Sequence, residues 1–290
     1  MKRLILSIFC LIILFPLFSQ PKKRRSNRIE YVNSIQLTVG AGSSTYFGDL
    51  CDNFDCVIYR PQTSFGILYR NSDRLLLRNE FTYLRLAGSD IGGKNYTRNL
   101  HFRSSNYEIT WSAIYDLIPY ERKFRYRVPF TPYAHGGVGF TFFSPQAKLN
   151  GKWTSLRPLQ TEGKKYNIVT PVVSYGAGIR YKATPKLNIS IELGYRWTFT
   201  DYLDDVSTVY TDNSALTSSE AKLLADRSYE VENLNKEFKD YDYATQTWNK
   251  GHQRGNPKRK DGYILFGFKV EYTLKYTSQN GGMLRMTKFK

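Results

Sequence analysis

The sequence predicts an all-β fold: an eight-stranded antiparallel transmembrane β-barrel with long outer loops and short periplasmic turns. Three observations predict it. Apolar and polar residues alternate with period two in eight segments, the signature of a strand with two unlike faces. Several of these segments exceed the roughly 9–11 residues that a tilted strand needs to cross a bilayer. The connections between them alternate between short and long, as in barrels with short turns on one side of the membrane and long loops on the other.

The clearest segment is 187–199. Leu187, Ile189, Ile191, Leu193, Tyr195, Trp197 and Phe199 share one face, while Asn188, Ser190, Glu192, Gly194, Arg196 and Thr198 share the other. Segment 262–276 repeats the pattern, with Ile264, Phe266, Phe268, Val270, Tyr272, Leu274 and Tyr276 opposite Gly267, Lys269, Glu271, Thr273 and Lys275. Segment 104–117 sets Tyr107, Ile109, Trp111, Ala113, Tyr115 and Leu117 against Asn106, Glu108, Thr110, Ser112 and Asp116. The others are roughly 34–43, 62–70, 74–86, 131–143 and 171–182.

The polar face carries Arg78, Glu80, Glu108, Arg180, Glu192, Arg196, Lys269 and Glu271, with both signs mixed. In an outer-membrane barrel such charges pair inside the lumen and the aromatic face meets lipid. In a soluble, ligand-binding barrel of lipocalin type they would face water. The 23 tyrosines and 18 phenylalanines, several at strand ends, favour lipid, where aromatic belts mark the interfaces. Glycines in "HGGVGF" and "SYGAGIR" let side chains pack across a narrow lumen. Eight strands leave an interior that side chains fill, which argues against a passive pore.

The N-terminus reads as a secretory signal peptide over 1–19: Lys2 and Arg3, then an apolar run to Leu17, then Ser19 near a cleavage point. The run is shorter than the roughly 20 residues of a spanning helix. A basic periplasmic arm follows over 20–33, the barrel over 34–276, and a basic periplasmic tail over 277–290. Cys51 and Cys56 are placed to close a small loop as a disulfide in an exported chain.

Short connections fall at 71–73, 119–129 and 183–186, and long ones at 44–61, 87–103, 144–170 and 200–261. Both termini then lie on the short-turn side. That assignment sorts the formal charge of +17. Arm, middle turn and tail together hold twelve basic residues against Glu30 and Glu121. Lys22, Lys23, Arg24, Arg25, Arg122, Lys123, Arg125 and Arg127 thus form a candidate partner-binding face. It suits anionic lipid headgroups or an acidic periplasmic protein. Nucleic acid is not expected as a partner of an exported barrel.

Against this basic background, Asp201, Asp204 and Asp205 cluster at the root of the longest loop. Three readings compete. They can order the loop, against Arg254 or Lys258 of its returning arm. They can hold calcium through oxygen ligands, although EF-hand spacing is lacking. His252 can approach Asp204 or Asp205 as a water-activating pair, although no nucleophile is marked. Ordering is the expectation, with no catalytic residue, metal or cofactor. A short helix is expected after 215, with Glu220 as a capping partner of Thr217.

"YFGDL" (46–50), "RP" (60–61), "RNLHFRS" (98–104), "PYAHGGVGF" (132–140), "GKWTSLRPLQTEG" (151–163), "GYRWTFTDYLDDVSTVY" (194–210) and "GHQRGNP" (251–257) occur in this order. The set resembles the PorG-type outer-membrane barrel of the type IX secretion system. The resemblance implies a non-enzymatic outer-membrane component that associates with a periplasmic ring, built from a lipoprotein and its partner (PorK and PorN type). It also implies a requirement for export of proteins with a C-terminal sorting signal and, in gliding bacteria, a link to motility. The alternative function is an adhesin-like barrel that binds ligands or surfaces through its outer loops.

Overall fold

Period-two alternation requires two faces with different surroundings, and the barrel supplies them. The computed structural model describes residues 34–51, 56–91, 93–121, 124–231, 240–242 and 247–275. Eight long strands close on themselves: β1 (Ser34–Phe47), β2 (Arg60–Arg70), β3 (Leu75–Ser89), β4 (His101–Asp116), β5 (Phe130–Phe142), β8 (Val169–Lys182), β9 (Leu187–Thr198) and β12 (Gly262–Lys275). Each pairs antiparallel with its neighbour, and the pairing of β1 with β12 closes the ring. Closure leaves no unpaired strand edge within the barrel wall.

The polarity is inverted relative to a water-soluble sheet protein. Val39, Phe65, Trp111, Val138, Leu193 and Phe268 point outward, while the charged residues of the lumen-facing positions (Arg78, Glu108, Glu192 and Lys269 among them) are buried. Water cannot favour that surface, but hydrocarbon can. Two aromatic levels bound it. Tyr69, Tyr115, Phe130, Tyr181 and Tyr272 lie near the short-turn end, and Tyr107, Phe142, Trp197 and Phe199 near the long-loop end. Such belts sit where headgroups meet acyl chains.

The long-loop end carries added structure. β6 (Pro145–Leu149) and β7 (Lys152–Ser155) form a hairpin that extends the edge of β4 at Arg103 and Ser104. Asn150 and Gly151 both take positive φ (48° and 82°), the two-residue turn that Asn-Gly favours. The expected loop 144–170 therefore contains a hairpin. The helix expected after 215 is α1 (Ser219–Ala225), but its cap is Ser218, whose hydroxyl accepts the Ala221 N–H at 3.0 Å, rather than Thr217. β10 (Tyr241–Asp242) and β11 (Thr247–Trp248) form a small ribbon in the same loop.

Leu86, Phe102, Leu149, Leu203, Val206 and Leu224 pack into an apolar plug over this end. The loops that supply it are thus folded onto the barrel rather than splayed from it. Cys51 and Cys56 form a disulfide with Cα atoms 5.4 Å apart, and Cys51 packs into the same plug.

Candidate functional site

The lumen is filled by paired charge. Among the described residues, the eight barrel strands bury five cations (Arg70, Arg78, Arg180, Arg196 and Lys269) and five carboxyl groups (Glu80, Glu108, Asp116, Glu192 and Glu271). They stack in three levels. Near the turns, Asp116 accepts from Arg70 at 3.0 Å and Arg180 at 2.5 Å, and Arg180 also reaches Glu271 at 2.6 Å. Midway, Glu192 pairs with Arg78 at 2.7 Å and Lys269 at 3.0 Å, and Lys269 bridges on to Glu80 at 2.6 Å. Near the loops, Arg196 donates to Glu108 at 2.9 Å, and Tyr263 donates to the same carboxylate. Numerical balance of charge and direct pairing are what a buried ionic network needs.

His135 lies in the middle level, its Nε2 3.5 Å from Glu192. Gly176 makes room for it: a Cβ there would lie 2.6 Å from that nitrogen and 2.2 Å from the Leu193 carbonyl. The polar-face residues read from the sequence therefore all meet in the lumen. Asp116, read on the polar face of 104–117, joins them, as do Arg70 and Tyr133, whose roles are invisible until the strands close.

The turn-side mouth is also shut. Tyr120 is held between two guanidinium groups, Arg70 at 3.8 Å and Arg127 at 3.9 Å from its ring. This places Arg127 differently from the sequence expectation of a docking residue. It is buried, stacks on Tyr120, and donates from Nε to the Glu121 carbonyl at 2.9 Å. Arg125 remains exposed beside it. Lys22, Lys23, Arg24, Arg25, Arg122 and Lys123, the signal segment 1–19, the arm 20–33 and the tail 277–290 lie outside the described residues.

The loop-side plug contrasts with the lumen. Its buried groups are Asp90, Glu162, Asp201, Asp204, Asp205, Asp226 and Asp261 against Arg98, Arg227 and Arg254, an excess of acid. Arg254 ties the returning arm of the loop to its root. It donates to Glu162 and to the Asp205 carbonyl at 2.9 and 2.6 Å, and to the Ala225 carbonyl at 3.0 Å. Glu162 also accepts the Ser207 and Thr208 N–H groups at 2.9 and 3.0 Å. Burial raises the Glu162 carboxyl, but Arg254 and these donors outweigh it and hold the group below its ordinary value.

The acids singled out in the sequence occupy this plug. Asp205 accepts from Thr161 at 2.5 Å and Tyr166 at 2.6 Å, and takes a positive φ of 70° that aims its carbonyl at Arg254. Burial pushes its carboxyl up to about 6 and that of Asp201 up to about 7. Asp204 shares the Tyr46 hydroxyl with Asp261, at 2.7 and 2.8 Å. Burial pushes both carboxyls well above the ordinary range, and the charges of neighbouring acids add to the effect. His252 does not approach Asp204 or Asp205. Its Nδ1 faces Asp240 at 3.4 Å, and its ring lies flat on Trp248 at 4.2 Å. The water-activating pair is therefore not assembled. No group of three or more metal-ligating side chains occurs among the described residues.

The plug also unites scattered stretches of sequence. Tyr46 and Asp49 come from 46–50, Arg98 from 98–104, Glu162 from 151–163, Asp204 and Asp205 from 194–210, and Arg254 and Asn256 from 251–257. Arg98 links three of them. It grips Asp90 through two bonds of 2.8 and 2.7 Å and donates to the carbonyls of Asp49, at 2.8 Å, and Arg254. Sequence reasoning quoted these stretches without seeing that they form one structure. Their concentration of Tyr, Asp and Arg was the available signal.

Several solved structures are similar in outline. Neisserial surface protein A is 12% identical, with a TM-score of 0.40, covering 82% of this chain and 96% of its own. The outer-membrane protein OprG from Pseudomonas aeruginosa is 11% identical, with a TM-score of 0.40 and coverage of 83% and 97%. Ail, the attachment invasion locus protein of Yersinia pestis, is 10% identical, with a TM-score of 0.37 and coverage of 83% and 99%. No curated protein matches the chain. A family model matches residues 8–220, and the chain belongs to that family, described as a domain of unknown function (DUF6089).

Proposed function

We propose that this barrel is a structural component of the type IX protein secretion machinery, resident in the outer membrane, that anchors the periplasmic ring. The observation that carries the reading is the closed interior. Paired charge fills the lumen, Tyr120 shuts the turn side, and the plug covers the loop side. A barrel sealed in this way offers its wall and its two ends, not a conduit. The outward apolar surface with two aromatic levels fits residence in lipid. Five of the seven stretches that resemble the PorG-type barrel contribute to one plug, which supports reading them as parts of a single device rather than as unrelated fragments.

Anchoring falls to the short-turn side, where the basic arm, the 119–129 turn and the tail lie together in the inferred topology. An acidic face on the ring lipoprotein, of PorK type, is the expected partner. Complementary charge of this kind sets docking rate and orientation. Catalysis has no part in this reading.

Reversing charge at Arg24, Arg25, Arg122 and Arg125 together tests it. Recovery of the ring lipoprotein with the purified barrel falls, and export of proteins bearing the C-terminal sorting signal falls with it. Unchanged recovery and export refute the electrostatic anchor. A deletion that impairs attachment to surfaces while leaving export intact favours the adhesin-like alternative instead.

A further inference from the structure

Three outer connections enclose a cavity of about 330 Å³ at the long-loop end. The 48–59 connection contributes Asp49, the 90–100 connection Asn95, Thr97 and Arg98, and the 199–261 connection the rest. This lies at the lower end of the volume range of small-molecule sites. It is on the opposite side of the membrane from the proposed ring anchor and owes nothing to it.

We infer that this cavity binds an uncharged saccharide presented at the cell surface. The first argument is charge. Two arginines line the cavity, but both are spent. Arg98 is paired with Asp90 and donates to the carbonyls of Asp49 and Arg254. Arg254 is paired with Glu162 and donates to the carbonyls of Asp205 and Ala225. An anion entering here would have to compete with partners already in place. The one carboxylate in the lining, Asp49, is already engaged, accepting the Asn256 N–H at 2.7 Å.

The second argument is the pairing of wall types. One wall is aromatic: His252 stacks on Trp248 with rings 10° from parallel, and Tyr210 lies 6.1 Å from His252. The rest of the lining offers the amides of Asn95, Gln253 and Asn256 and the hydroxyl of Thr97, donors and acceptors without charge. A sugar ring has the matching two-sided character. Its C–H face packs on aromatic surface, and its equatorial hydroxyls need amide and hydroxyl partners. The volume accommodates one or two such rings.

Titration of the full-length protein in detergent micelles with lactose, cellobiose, maltose and chitobiose tests this, read by tryptophan fluorescence and calorimetry. At least one disaccharide binds, and glucose 6-phosphate and glucuronate bind at least tenfold more weakly. Asn95→Ala and Thr97→Val change only side chains at the cavity rim, and each weakens binding about tenfold. Trp248→Ala abolishes it, with heat-modifiable gel mobility confirming that the barrel stays folded. Polysaccharide released from the producing cell's own envelope and polysaccharide from unrelated sources serve as competitors. Competition by the first identifies the cell's own envelope as the source, and by the second a foreign glycan. Absence of binding by every neutral sugar overturns the inference. So does equal binding of the charged sugars, binding of a peptide alone, or full binding by the Asn95 and Thr97 variants.

Discussion

Raising the pH from 5 to 8 should loosen the loop-side plug, because its buried acids hold protons that the opened loops would lose. Geometry requires one of these protons. The Tyr46 hydroxyl lies within hydrogen-bond distance of both Asp204 and Asp261, yet it has a single hydrogen to give. The second short contact therefore needs a proton carried by a carboxyl group. Asp205 adds to it. Its carboxyl, pushed up to about 6 by burial, stands against an ordinary value of about 3.9 in an open loop. A raised acid favours the closed loop fully below pH 4, and that support is lost as pH rises through the folded value. For Asp205 alone the full loss is about 3 kcal/mol, of which about 1.4 kcal/mol falls between pH 5 and 8, an increase of about tenfold in the open fraction over that window. Asp204 and Asp261 act with the same sign, since both are held well above the ordinary range.

Limited proteolysis and hydrogen exchange of the 199–261 loop, at pH 5, 6, 7 and 8 in micelles, measure this opening. Protection falls as pH rises. Asp204→Asn separates proton loss from a general pH effect. An amide there can still accept the Val206 N–H and can donate to Tyr46, leaving the Tyr46 hydrogen for Asp261. The variant plug stays closed and its protection varies less with pH. Flat protection from pH 5 to 8, protection that grows with pH, or an unchanged slope in Asp204→Asn refutes the reasoning.

Arg180→Met leaves Glu271 and part of Asp116 buried without their shared cation and should lower barrel stability by about 3 kcal/mol, seen as a lower midpoint for heat-modifiable gel mobility. Phe268→Arg sets a charge midway along the outward face of β12. It should cost about 2–4 kcal/mol of folding into lipid vesicles, whereas a barrel whose outer face met water would tolerate it.

The strands were legible because burial on one face and lipid on the other both act on every second residue. The 187–199 and 262–276 segments therefore read correctly to within a residue or two at each end. The β6–β7 hairpin was not read from the sequence, because its strands are too short to show periodicity; Asn150-Gly151 was its only local signal. The role of the acids was only half legible. Asp205 and Arg254 meet as expected, whereas the partners that decide their chemistry (Tyr46, Glu162, Tyr166 and Asp261) lie 39 to 158 residues away or in the returning arm. Local spacing carries no trace of such contacts. Arg127 misled for a related reason: charge in a turn reads as exposed until Tyr120 is seen to cover it.

The cross-lumen ion pairs have a mechanical consequence. Arg78 on β3 holds Glu192 on β9, Lys269 on β12 holds Glu80 on β3, and Arg196 on β9 holds Glu108 on β4. Each joins walls that are not neighbours in the ring, like spokes across a wheel. A hollow tube of eight strands flattens readily under a sideways load. A spoked one distributes that load to the far wall and moves as a single strut.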